Sequence, residues 1–100
     1  ATLDLSLGTK FYLDVPSGTS TTIAVSNRVD GESFSLLLSQ SSASTGSIDF
    51  TDDTIKFAGG LDYQATNQTS AEDILSFEIY NKADGASNKY VYATSVKNLV

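Results

Sequence analysis

Apolar and polar side chains alternate along most of this chain. That restricts it to strands, because a period of two sends successive residues to opposite faces of a pleated strand, whereas a helix needs apolar residues three and four apart. Between Lys10 and Val15, the side chains Phe11, Leu13 and Val15 share one face and Lys10, Tyr12 and Asp14 the other. Pro16 ends this strand and Ser17-Gly18 turns the chain. Ile23 and Val25 alternate with Thr22, Ala24 and Ser26, and Asp30-Gly31 is a dipeptide that closes tight hairpins. The second strand of that predicted hairpin runs from Glu32 to Gln40. It places Phe34, Leu36 and Leu38 inward and Ser33, Ser35, Leu37 and Ser39 outward. Leu37 is the exception on a polar face, and a neighbouring chain is expected to cover it.

Further on, Ile48 and Phe50 flank Asp49, and Ile55 and Phe57 flank Lys56, giving two short strands joined by Thr51-Asp52-Asp53-Thr54. Gly59-Gly60 interrupts the pattern, and Leu61-Asp62-Tyr63 reads as a short edge strand. The clearest alternation puts Leu75, Phe77 and Ile79 on one face and Ile74, Ser76, Glu78 and Tyr80 on the other. Ala83-Asp84-Gly85-Ala86 then makes a second hairpin turn into a closing strand, Lys89 to Val96. One competing reading starts a helix at Ser70 to Leu75, with Ser70 as cap and Asp73 at the third position. About eight short strands joined by Gly, Asp, Asn and Ser turns predict an all-β fold, an antiparallel β-sandwich or jelly-roll-like arrangement. At 100 residues, it is expected to be a single domain spanning 1–100.

Composition closes off several chemistries. With no Cys and no His, the chain has no disulfide, no thiolate metal site, no thiol nucleophile and no Ser-His-Asp triad. A net charge of −6 disfavours nucleic acid and anionic membrane surfaces. No stretch approaches the roughly 20 apolar residues that span a bilayer, so a soluble chain is expected. Asp49, Asp52 and Asp53 bring carboxylate oxygens together as calcium sites do, but their spacing fits no EF-hand loop and suits turn hydrogen bonding instead. No metal and no cofactor are expected. Glu72 and Glu78 share a strand face and form the best carboxylate pair for a small glycosidase, which is the weakest of the functional readings. Tyr63, Tyr90 and Tyr92, helped by Asp62 or Asn67, are the candidate residues for stacking on a sugar ring, against the ordinary role of aromatics in cross-strand packing. Asn67-Gln68-Thr69 also matches the N-glycosylation acceptor pattern.

An ordered series of short motifs resembles a module of bacteriophage virion proteins, of the tail-fibre-like and surface-decoration type. The opening Ala1-Thr2-Leu3-Asp4-Leu5-Ser6, with Gly8 and Phe11, is similar to that module's start, and Phe34-Ser35-Leu36-Leu37-Leu38-Ser39-Gln40 to its central strand. Ile55-Lys56-Phe57-Ala58-Gly59-Gly60 looks like its VKWAGG signature, with Phe57 where Trp is typical. Ala71-Glu72-Asp73-Ile74-Leu75-Ser76-Phe77 resembles its AxDxLSF strand, and Asp84-Gly85 followed by Tyr90 its final hairpin. The resemblance implies assembly or display in a virion and carries over no catalytic residues.

The expected function is therefore that of a non-enzymatic virion structural protein, part of a fibre or of a capsid or tail surface decoration. Its partners would be other virion proteins and copies of itself, with a trimer the expected homo-oligomer. Leu37 and Ile74 are the expected interface residues. The alternative is a carbohydrate-binding module that recognises a host surface glycan.

Overall fold

The alternating segments become nine strands in the computed structural model, which describes residues 1–40, 44–50, 52, 54–57, 63–81 and 89–99. They are β1 (Thr2–Asp4), β2 (Lys10–Asp14), β3 (Ser20–Thr22), β4 (Ala24–Ser26), β5 (Ser33–Ser39), β6 (Ser47–Asp49), β7 (Ile55–Lys56), β8 (Glu72–Asn81) and β9 (Lys89–Leu99). No helix occurs among the described residues, and the fold is all-β. A five-stranded sheet has the order β2-β5-β8-β9-β7, and two small sheets pair β1 with β4 and β3 with β6.

The pairing has a simple rule. Each of the first three strands runs parallel to the strand three places later, Thr2 beside Ala24, Lys10 beside Ser35 and Ser20 beside Ser47. The chain thus makes one circuit and then lays a second alongside it in the same direction. Long β8 pairs antiparallel with β5 on one side and β9 on the other, and β7 joins β9 in parallel.

This corrects the antiparallel expectation, because among the described residues only β5/β8 and β8/β9 run antiparallel. Alternation fixes which face a residue takes and carries no information about strand direction. The predicted hairpin at Asp30-Gly31 is also absent, since β4 pairs with β1. Gly31 does turn, at φ 81°, with the Glu32 N–H donating to the Val29 carbonyl at 3.1 Å. Reciprocal backbone bonds of 3.0 Å, from Gly31 N–H to the Ile79 carbonyl and from Ile79 N–H to the Glu32 carbonyl, then deliver the chain to β8. The helix reading at Ser70 fails as well. Ser70 has φ 66°, whereas a helix N-cap takes extended angles, and β8 begins at Glu72. Tyr63 lies outside any strand, while Leu61, Asp62, Asp53 and the turn Ala83 to Ala86 fall outside the described residues.

The core sits on one face of the large sheet. Phe34, Leu36, Leu38, Leu75, Phe77, Ile79 and Val91 line that face, as their parity requires, and Leu3, Val25 and Ile48 from the small sheets, with Ile23 between β3 and β4, join the same cluster. The rings of Phe34 and Phe77, paired across β5 and β8, stack at 4.6 Å with 8° between planes. Phe50 approaches Phe77 at 6.2 Å and links this stack to Phe57 and Tyr63.

Where the circuits meet, Gln40 is buried just past β5 and takes the place of a missing strand partner. Its Oε1 accepts the Gly46 N–H at 3.1 Å and its Nε2 donates to the Gly46 carbonyl at 2.9 Å, pairing with the Gly46 peptide as a neighbouring strand would. Its own backbone bonds Ala71 at 3.0 Å and Ser70 at 2.7 Å. Gly46 is required here for close approach, because a Cβ at this position would lie 1.9 Å from the Pro16 carbonyl oxygen. Gly46→Ala is therefore expected to displace the loop and break the Gln40 bracket. The expected cost is about 2–3 kcal/mol of unfolding free energy in a urea titration, with the denaturant slope unchanged.

Candidate interaction face

Strand parity sends one set of side chains from the five-stranded sheet away from the core. Register then arranges that set in rows across the strands. One row is apolar, with Tyr12 of β2 beside Leu37 of β5, Ile74 of β8 and Val96 of β9. Tyr12 is 61% exposed, Val96 59% and Ile74 38%. Leu37, the most central, is half-buried by its neighbours. A shallow cavity of about 350 Å³ opens at this end, between Lys10, Tyr12, Ser35, Leu37 and Ile74. The next row, Lys10, Ser35, Ser76 and Thr94, is polar.

Beyond it lies an aromatic corner. Tyr80 stands opposite Tyr90, and Glu78 opposite Tyr92, whose other neighbour is Lys56 of β7. The Tyr80 and Tyr92 rings meet edge to face at 5.5 Å, and the Lys56 ammonium sits 5.8 Å from the centre of the Tyr90 ring. The Tyr80 hydroxyl donates to Glu78 Oε2 at 3.2 Å, which pushes the Tyr80 phenol above its ordinary value. Four of the residues singled out from sequence, Leu37, Ile74, Tyr90 and Tyr92, thus share this outer face of the sheet. Ser39, expected outward too, is buried between Asp14 and Glu72 on the flanking strands.

Tyr63 is a correction. It is 5% exposed and packs in the core against Phe50 and Phe57, so its ring is closed to a sugar. Its hydroxyl donates to the buried carboxylate of Asp73, which also accepts the Thr66 N–H at 2.9 Å, the Thr66 hydroxyl at 2.7 Å and the Asn98 N–H at 2.9 Å. Asp73 has the same parity as Leu75 and Phe77, and faces inward where β9 bulges: the register steps from Glu72 beside Leu99 to Ile74 beside Val96. Asn98, at φ 61°, supplies the extra turn of backbone that aims its N–H at the carboxylate. Burial alone would push the Asp73 carboxyl up. The bonds from Tyr63, Asn98 and Thr66 together outweigh burial and hold it below the ordinary carboxylate range. Burial, and then the Asp73 bond and charge, push the Tyr63 phenol up.

Among the described residues, the other sequence candidates do not assemble into a reacting centre. Glu72 and Glu78 both face outward but lie six positions apart on β8, about 20 Å along the strand, too far to flank one glycosidic bond. Asp52 is engaged as a turn residue. It accepts the Thr54 hydroxyl at 2.6 Å and N–H at 2.9 Å, and pairs with Arg28 at 2.8 Å. Thr54, with Arg28, holds the Asp52 carboxyl below its ordinary value against partial burial. Arg28 went unremarked in the sequence, yet it also donates to Thr54 at 2.7 Å and to the Lys89 carbonyl at 3.0 Å, tying the turn after β4 to β9. Asn67 borders a different, polar groove with Gly18, Thr19, Thr45 and Gln64, whose described walls contain no aromatic ring.

Comparison with known protein families, with curated proteins and with solved structures finds no match for this chain.

Proposed function

We propose that the chain is a non-enzymatic structural module of a bacteriophage virion, part of a fibre or of a capsid or tail surface decoration, that works by assembly or display. The observation that carries this is the row Tyr12, Leu37, Ile74 and Val96, an apolar stripe on a chain whose exposed strand faces are otherwise rich in Ser, Thr and acidic residues. Such a stripe is a contact surface for other virion proteins or for further copies of the chain, with a trimer the favoured stoichiometry. The motif order from Ala1 to Tyr90 supports the virion setting. A chain without Cys, Met or Trp also lacks the side chains most open to oxidation outside a cell.

Light scattering and co-sedimentation with purified virions test this reading. The wild type is expected to associate, and Ile74→Asp is expected to abolish association while the unfolding midpoint moves by only a few degrees, because Ile74 faces solvent in the isolated chain. A wild-type chain that is monomeric and does not bind virions removes the proposal.

One observation favours a second reading, recognition of a host surface glycan. Tyr80, Tyr90 and Tyr92 cluster beside Glu78 and Lys56, which places aromatic faces next to hydrogen-bonding groups. A glycan array without a hit removes it, and a hit that survives Tyr92→Ala places binding elsewhere.

A further inference from the structure

Leu3 and Leu5 are buried, and continued alternation would bury Leu7 with them. Leu7 is instead 83% exposed, the most exposed large apolar side chain among the described residues. A turn swings it out. The Leu7 N–H donates to the Asp4 carbonyl at 3.0 Å, and the Asp4 carboxylate accepts the Asn27 amide at 2.6 Å, the Ser6 hydroxyl at 2.7 Å and the Ser6 N–H at 3.0 Å. These bonds and the one from Leu5 N–H to the Ser26 carbonyl, 3.1 Å, brace the turn, so the backbone that carries Leu7 into water is fixed. Asn27 and then Ser6, both neutral, hold the Asp4 carboxyl below its ordinary value, and the tip keeps a negative charge beside its apolar knob.

The cavity of about 350 Å³ at the end of the apolar row is complementary to that tip. Phe11, Tyr12, Leu37 and Ile74 give it apolar walls, and the exposed Lys10 is the one charged residue of its lining. It therefore suits an aliphatic side chain carried next to a carboxylate, with burial for the first and an ammonium for the second. Leu7 of the same chain does not fill it, because that side chain is in water.

We infer that the occupant of this cavity is a second copy of the chain, which inserts Leu7 between Tyr12, Leu37 and Ile74 and brings Asp4 towards Lys10. This rests on the reading of the apolar row as a contact surface and names what covers its Tyr12 end. Knob and socket are different patches, so the contact is head to tail and each copy offers both at once. Successive copies then close into a ring where the rotation between them permits, as a trimer requires, and otherwise continue as a filament.

Mixing two damaged variants separates this contact from any other. By sedimentation equilibrium at high micromolar concentration, the wild type is expected to form species larger than a dimer. Leu7→Ser removes the knob and Ile74→Asp spoils the socket, and each alone is expected to weaken association about tenfold or more. An equimolar mixture of the two is expected to form a one-to-one pair and nothing larger, since the intact socket of one variant takes the intact Leu7 of the other. Lys10→Glu sets a like charge against Asp4 and is expected to weaken association about threefold or more at low salt, with the difference shrinking at high salt. Leu7, Lys10 and Ile74 are exposed, and unchanged far-ultraviolet circular dichroism checks the fold. A monomeric wild type, a Leu7→Ser or Lys10→Glu variant that associates as the wild type does, or a mixture that fails to pair would each overturn the inference. Virion co-sedimentation is read separately, so a monomeric wild type that still binds virions overturns this contact and leaves the virion reading in place.

Discussion

Asp73→Ala should lower the unfolding free energy by about 3–5 kcal/mol, because it removes the acceptor for four hydrogen bonds and leaves the buried Tyr63 hydroxyl and the part-buried Thr66 donors without it. For a domain of this size that corresponds to a thermal midpoint lower by more than about 12 °C, measurable by scanning calorimetry. Tyr63→Phe deletes one donor and keeps the carboxylate's other bonds, so it should cost only about 1–2 kcal/mol. Combining Tyr63→Phe with Asp73→Asn should cost less than the sum of the two, since both break one shared bond. Additive losses would mean that the two groups do not depend on each other.

The same carboxylate makes stability depend on pH in a defined direction. Asp73 sits below the ordinary value of 3.8 in the folded chain, so the unfolded chain takes up the proton first as pH falls. Its contribution is complete above about pH 4 and is lost as pH drops through the folded value. The gap in stability between the wild type and Asp73→Asn should therefore be constant near neutrality and narrow in acid. Tyr63 acts at the other extreme. Its phenol is raised above 10.0, so its contribution holds below that pH and is lost as pH rises past it.

Phe77→Ala should cost about 3–5 kcal/mol by removing the ring at the centre of the core. Phe77 is 1% exposed, is stacked on Phe34 and lies within reach of Phe50, and the rows on either side of it, from Leu36 to Leu75 and from Ile79 to Val91, are buried as well. The cavity has little around it that can collapse inward. Phe77→Leu keeps much of the volume and should cost about half as much in the same denaturant titration. Similar losses for Ala and Leu would show that the aromatic stack, and not the filled volume, is what the site needs.

Phe77 and Asp73 also mark what sequence discloses about such a chain. Phe77, Leu75, Ile79, Phe34 and Leu36 were legible because parity counts faces, and Leu37 and Ile74 stood out because they break it. Asp73 has the parity of Leu75, yet in sequence it read as the lead into the strand or, in the competing reading, as the third position of a helix capped by Ser70. A charge at a core-facing position needs donors, and those donors come from Thr66, Tyr63 and Asn98, residues that only the tertiary fold brings near. Tyr63 looked exposed for the complementary reason, since polar residues surround it in the chain while its partners are distant in sequence. Tyr12 and Val96 complete the apolar row with Leu37 and Ile74, but the row exists only once β2, β5, β8 and β9 have their registers. Strand direction was likewise hidden, because a Ser-rich or Gly-rich connection can carry the chain back to the start of a sheet as readily as it can turn a hairpin.

The doubled circuit has a consequence in time. Strands β1, β2 and β3 take their partners from β4, β5 and β6, so residues 2–22 have none of these sheet partners until the next circuit has been made. Every one of those pairings closes a long loop before any hydrogen bond rewards it, which places folding in the slower millisecond-to-second range expected of non-local β topologies. The strands of the first circuit have to wait for those of the second.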